Sequence, residues 1–275
     1  MAKESAKTIV FSKKGEAGLG AVFRDLVTGF AKWRIWTSFA GEEIRNRYQG
    51  SILGVAWQGI SFLIFVLAIA LYFRALTGDA LMYVAIGMAT YQYIVGNLSD
   101  GCNVFVQARG WIQNAHLPFS IYVYKSMARS IVPLIISLVL CAGIAAFTRW
   151  VPPTFSWSPF LAMLVILLNA VWVHFLFGIL NARFRDFGHL VAAVSRLLFF
   201  TSPILWDYNA TAGLRRIVSD LNPLTHFIQV FRMPLLGEAD SVFHWSIVLS
   251  ITVAGWIATI IAMSMFRHRL ARWVE

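Results

Sequence analysis

Acidic charge is scarce in this sequence. Thirteen Asp and Glu stand against 23 Lys and Arg in 275 residues, and charged residues make up only 13% of the chain, about half the share of an ordinary globular protein. No pair of carboxylates falls inside its long apolar segments, so general acid–base chemistry has no obvious seat there. There are two cysteines, Cys102 and Cys141, both in apolar stretches without metal-ligand spacing, which argues against disulfide or zinc chemistry and reads them as packing residues. His174 has no second His three or four positions away and no adjacent acid, so together with Asn169 it reads as a hydrogen-bonded packing pair rather than a metal or proton site. No G-x-x-x-x-G-K-[ST] occurs, and the glycine run at Gly15 to Gly20 has the wrong spacing to cradle phosphate. The first 30 residues carry lysines but no apolar core followed by a small-residue cleavage site, so no removable leader is expected. No internal repeat with matched Gly or Pro breaks is visible.

What is present is apolar length. Hydrophobic residues make up 59% of the chain, gathered in blocks of about 20, the length a helix needs to cross a bilayer. Continuous blocks fit a helical bundle and not an outer-membrane barrel, whose strands alternate. The expected fold is therefore an all-α membrane protein: a polar tail over 1–21, an amphipathic interfacial helix over 22–50, and a six-span domain over 51–266. Its spans lie at about 53–73, 80–107, 120–147, 159–180, 189–205 and 243–266, with a basic C-terminus over 267–275. Between the fifth and sixth spans, short helical groupings on either side of Asn222-Pro223 predict two short re-entrant helices at the outer, periplasmic face. Pro133 predicts a kink in the third span. With these boundaries roughly 18 of the 23 basic residues lie on the side of both ends, which is cytoplasmic by the positive-inside rule. The net charge of +10 is then explained by topology and anionic membrane lipids. No recognition element for nucleic acid accompanies it.

Two regions stand out. Arg45, Arg47 and Tyr48, with Trp57 on the first span, form a joint between the interfacial helix and the membrane. Arg forks can bind the phosphates of a lipid head group, and anchoring to anionic lipid is the alternative role. Along the second span Gln92, Gly96, Ser99, Asp100, Asn103 and Gln107 recur every three or four residues, one helical face that should meet protein or water rather than lipid. With Arg196 on the fifth span, whose nearest partner in depth is Asp100, this face is the expected channel lining. Phe199 and Phe200 join it as rings on which sugars can slide. Alternatively Arg196 snorkels to the cytoplasmic interface.

The series R-N-R-Y-Q-G-S-I-L-G-V-A-W (45–57), G-C-N (101–103), G-W-I-Q-N (110–114), L-P-F (117–119), N-A-R-F-R-D (181–186), S-P-I (202–204), L-N-P-L (221–224) and R-M-P-L-L-G (232–237) resembles the permease subunits of polysaccharide-exporting type-2 ABC transporters. The match covers about residues 25–275. The basic end A-R-W-V is most similar to O-antigen exporters of lipopolysaccharide synthesis, with capsule and teichoic acid exporters next. The resemblance implies a homodimer in the bacterial inner membrane that passes lipid-linked polysaccharide. It also implies two copies of a separate ATP-binding subunit, which hold the ATP and magnesium, so this chain is a transport subunit and not an enzyme. It places a coupling helix at Arg109, Trp111, Ile112, Asn114 and His116, and a second ATPase contact, or a plain loop anchor, at Arg183, Arg185 and Asp186. Arg45, Arg47, Tyr48 and Trp57 then become the site that admits the lipid carrier's pyrophosphate-type head. A membrane-embedded enzyme on lipid-linked sugars and a type-2 permease for a drug or small lipid are the alternatives. The first would need acids clustered at one interface, where only scattered ones such as Asp207, Asp220 and Asp240 occur.

Overall fold

The computed structural model describes residues 18–72, 77–115 and 117–274. They form eleven helices, and no strand occurs among them. Two amphipathic helices, α1 (Leu19–Ala31) and α2 (Trp33–Tyr48), come first. A turn over 49–55 follows, in which Gly50 and Gly54 take positive φ (81° and 52°), and then α3 (Ala56–Tyr72). The long α4 (Gly78–Gln107) leads through the one-and-a-half-turn α5 (Arg109–Asn114) to α6 (Phe119–Thr148). After them come α7 (Ser158–Arg183), α8 (Phe187–Thr201), α9 (Leu214–Leu221), α10 (Pro223–Leu235) and α11 (Val242–Trp273).

Of these helices, α6, α7 and α11 are both long and apolar enough to cross a membrane. Helices α3 and α8 are apolar but shorter, 17 and 15 residues, about 26 and 23 Å at 1.5 Å per residue. The sequence explains several boundaries. Pro159 and Pro223 sit in first turns, where their missing N–H costs nothing. The Asn222 side chain caps α10 by accepting from the Leu224 N–H at 2.9 Å. Helix α6 continues through Pro133.

Helix α4 is the axis. It packs on α6 and α7, with α3, α8 and α10 also against it and α11 behind α7. Its first half is enclosed by the apolar core around Val84, Ala85, Ile86, Phe62, Val66 and Ile228. There the fully buried Arg232 of α10 donates to the Pro203 carbonyl (2.8 Å), to the Tyr83 hydroxyl (2.8 Å) and to Gln229 Oε1 (2.7 Å). Its guanidinium lies 3.6 Å from the Tyr83 ring centre. This one side chain ties α10 and the turn after α8 to α4.

The single interfacial helix expected over 22–50 is two helices, broken at Lys32 (φ −85°, ψ 38°). The cause is tertiary. Helix α1 presses on the first turn of α6 so closely that a Cβ at Gly29 would sit 1.9 Å from Ser120 Oγ, while α2 runs on along α6, where Glu43 meets Lys125 and Arg129. The buried Asp25 fastens α1 there. Its carboxylate accepts from the Ser120 and Phe119 N–H groups (2.9 and 3.2 Å), two donors that open α6, and from Arg267 of α11 (2.9 Å). Ser120 Oγ donates back to the Asp25 carbonyl at 2.7 Å. The expected first span loses 53–55 to the turn. In the fifth, helix ends at Thr201 before the bend over Ser202 to Trp206, and the last helix runs on to Trp273.

Candidate functional site

Below its enclosed half, α4 turns a row of polar residues outward. Gly96, Ser99 and Gln107 are exposed and Gln92, Asp100 and Asn103 half-buried, so the rest of the described chain covers this row only in part. Asn103 Nδ2 donates to the Ser99 carbonyl at 3.0 Å, within its own helix.

Where α2 meets α4 and α6 a cleft of about 80 Å3 opens. Arg47 and Tyr48 line it from α2, Gln58 from α3, Gln92 and Asp100 from α4, and Arg129 and Ser130 from α6. The structure thus brings two residues of the expected head-group site together with two of the expected channel lining. Arg45 is exposed on the same helix, and Trp57 is 52% exposed at the start of α3; neither lines the cleft.

The cleft's charge is organised by Arg129, which is 4% exposed. Its guanidinium pairs with Asp100 at 2.8 Å, donates to Glu43 of α2, and reaches Gln107 Oε1 at 3.5 Å and Ser126 Oγ at 3.4 Å. Lys125 holds the other oxygen of Glu43 at 2.8 Å. This corrects the expected Asp100–Arg196 pair: Asp100 is taken by Arg129, and Arg196 is exposed on α8. Depth alone did not decide the pairing, because α4 and α6 pack face to face and bring Arg129 within reach. The cluster was legible only in part. Lys125 and Arg129, four apart at the start of an apolar run, lie on one helical face and call for an acidic partner, but nothing local named Glu43.

The remaining expected residues fall as follows. Arg109, Trp111 and Asn114 are exposed on α5, with Ile112 half-buried, and the Trp111 ring lies 4.9 Å from Phe39 of α2. His116 lies outside the described residues. Arg183, Arg185 and Asp186 are exposed at the α7–α8 junction, and the Arg183 guanidinium lies over the rings of Phe184 and Trp273. Phe199 lies 5.2 Å from Tyr91 and 6.2 Å from Phe65 of α3, with Phe200 beside it and 66% exposed. His174 and Asn169 do not bond each other, correcting the expected pair. His174 Nδ1 donates to the Ala170 carbonyl and Nε2 bonds Ser126, while Asn169 bonds Val165, Thr252 and Trp172.

Glu43 lies outside the spanning helices, and its carboxyl titrates below its ordinary 4.5. Burial pushes it up, but the hydrogen bond from Lys125 and the charges of Arg129 and Lys125 outweigh that. A carboxyl depressed in the folded state stabilises fully above its unfolded pKa, and that contribution is lost as pH falls through the folded one. Thermal melting in detergent should therefore show wild type losing more stability than Glu43→Gln between pH 6 and pH 3.5, with the gap opening below 4.5. Parallel curves would remove the ion pair from the stability of the fold.

A helical bundle with three helices long and apolar enough to cross a membrane, a partly exposed polar row on its central helix and an ion-paired cleft beside an amphipathic helix is the build of a membrane protein. The family model for ABC-2 type transporters matches residues 36–236, and the chain belongs to that family. Among curated proteins it is 21% identical over 252 residues to the O-antigen export system permease protein RfbA of Myxococcus xanthus, covering 86% of this chain and 93% of the relative. It is 20% identical over 245 residues to a Klebsiella pneumoniae protein of the same name, covering 85% and 91%.

Proposed function

We propose that this chain is the membrane permease subunit of an ATP-driven exporter of lipid-linked polysaccharide, with O-antigen as cargo. The observation that carries the reading is the partly exposed row on α4. Polar side chains at that depth are costly against lipid, and a second copy of the chain facing the row would close a polar conduit between two α4 helices. The relatives' names supply the cargo.

In this reading six helices, α3, α4, α6, α7, α8 and α11, span the inner membrane with both ends in the cytoplasm, and α9 and α10 form a re-entrant pair at the periplasmic face. The chain works as a homodimer with two ATP-binding subunits, which supply ATP and magnesium. Arg45, Arg47, Tyr48 and Trp57 receive the carrier's phosphates at the cleft, Arg supplying a planar fork to them. The row from Gln92 to Gln107, with Arg196, Phe199 and Phe200, lines the path. Helix α5 docks on the ATP-binding subunit, Trp111 and Ile112 as its buried anchor and Arg109 and Asn114 as its polar rim, with Arg183, Arg185 and Asp186 as a second contact. The Trp111–Phe39 contact supports a route by which that docking moves α2.

In a strain lacking the chain, lipid-linked glycan should accumulate at the cytoplasmic face, and the wild-type gene should restore surface glycan. The same gene carrying Arg109→Glu and Trp111→Ala should insert normally yet restore less than about a tenth, a loss of roughly 1.4 kcal/mol or more in coupling. Full restoration by that variant would end the coupling role, and unchanged surface glycan in the deletion strain would end the export reading.

A further inference from the structure

Between α7 and α8 the bundle does not close. A cavity of about 360 Å3 lies there, floored by α4 and capped by the first residues of α10. Along α7 it runs from Ile166 to Phe177, roughly 16 Å of helix, about half the ~30 Å hydrocarbon thickness of a bilayer. That is the depth of one leaflet.

Of the polar groups in its wall, the two asparagine side chains and the Ser195 carbonyl are satisfied, and the Tyr93 hydroxyl, buried without a hydrogen-bond partner, is a single group. Asn97 donates to the Tyr93 carbonyl and accepts from Ser130. Asn169 donates to Val165 and Thr252 and accepts from Trp172. The Ser195 carbonyl accepts from Tyr91. Water needs two or more polar partners to occupy such a space, and a sugar or peptide would leave its own polar groups unpaired. The occupant is apolar, slender and present at that depth.

Charge identifies the end from which it comes. Phe177, the last α7 residue in its wall, and Phe187, the first of α8, meet edge to face at 5.2 Å. Just beyond them lie Arg183, Arg185 and His189, all exposed, with Asp186 the acid among them. Arg183 also reaches the Trp273 ring (5.8 Å), which brings Arg272 to the same end. An apolar slot one leaflet deep with a net basic mouth has the shape and charge of a phospholipid turned outside in.

We propose that the α7–α8 cavity holds one acyl chain of an anionic membrane phospholipid, drawn from the leaflet on the side of α5 and the last turns of α11, with its phosphate at Arg185. The chain acts as a wedge that sets the spacing of α8 from α7. This inference rests on the chain's place in a membrane and not on the export reading, and its readout is retained lipid rather than transport.

The full chain, in nanodiscs of phosphatidylglycerol and phosphatidylethanolamine, is transferred to detergent and its tightly held lipid is counted by native mass spectrometry. Wild type should retain about one phosphatidylglycerol per chain. Val194→Trp, which fills the slot from α8, should lower retention roughly tenfold, and Arg185→Gln should turn the retained lipid toward phosphatidylethanolamine. A benzophenone side chain at Leu190 in the otherwise wild-type protein should photo-crosslink to a phospholipid acyl chain, which keeps the test open if the Trp variant unfolds. Retention of a polyprenyl lipid instead, crosslinking of Leu190 to a second copy of the chain, or no retained lipid in wild type would each overturn the proposal.

Discussion

Arg129→Met should lower the melting temperature of the purified protein in detergent by about 6 °C. The side chain is 4% exposed and is shared between Glu43 of α2 and Asp100 of α4. Removing the shared cation leaves two carboxylates facing each other across the cleft, and breaking a buried pair from one side costs about 3–5 kcal/mol. Lys125 still compensates Glu43, and both acids are about a quarter exposed, which places the loss at about 3 kcal/mol, or about 6 °C for a chain of this size. Asp100 bears most of it, so Arg129→Met with Asp100→Asn should recover part of the loss, a coupling of about 1 kcal/mol or more. If the single variant melts with wild type, the cluster is a surface feature and the account of the cleft fails.

Gly101→Leu should be at least as damaging. Helices α4 and α7 meet there without side chains between them: a Cβ at Gly101 would lie 3.2 Å from the His174 Cα and 3.3 Å from the Val173 carbonyl. These are backbone atoms, so relief requires the helices to part. Close backbone approach at small residues is what drives helix association in lipid, where burial of apolar surface gains nothing. Overpacking costs about 1–3 kcal/mol where side chains can shift, and the upper end or more is expected here. The displaced His174 also bonds Ser126, which in turn bonds Arg129. Losses from Gly101→Leu and Arg129→Met should therefore sum to less than their separate values when combined, and simple additivity in the double variant would show that the two regions do not communicate. Gly101→Ala, with a single methyl, should fall well short of Leu; because both replacements favour the helix over glycine, equal losses would place the whole cost at the Cβ contact and none in the bulk beyond it.

The order of helices and the polar row on α4 were legible because both are periodic: blocks of about 20 apolar residues, then polar residues every three or four. The short α5 (Arg109–Asn114) falls where the resemblance placed a coupling helix. What was not legible depends on how helices are rotated against one another. Lys32 carries no breaking signal, and the break there follows from Gly29 meeting Ser120 some 90 positions later. Asp100 was given the wrong arginine because two basic residues share its depth and only packing chooses between them. Arg232 belonged to a motif, yet its burial against Tyr83 and Pro203 could not be read from either segment, since Tyr83 lies on another helix.

The Asp25 carboxylate, fully enclosed, is held at once by the opening turn of α6 and by Arg267 near the end of α11. Three segments far apart in sequence are thereby riveted into one block, and α5 lies four residues upstream of α6 within it. A conformational cycle can tilt that block or slide it along the membrane, but cannot pull its parts from one another without exposing a bare acid. Spin labels at Arg24 and His268 should keep one fixed separation through every state of the protein, and so provide the internal ruler against which any displacement of the other helices can be measured.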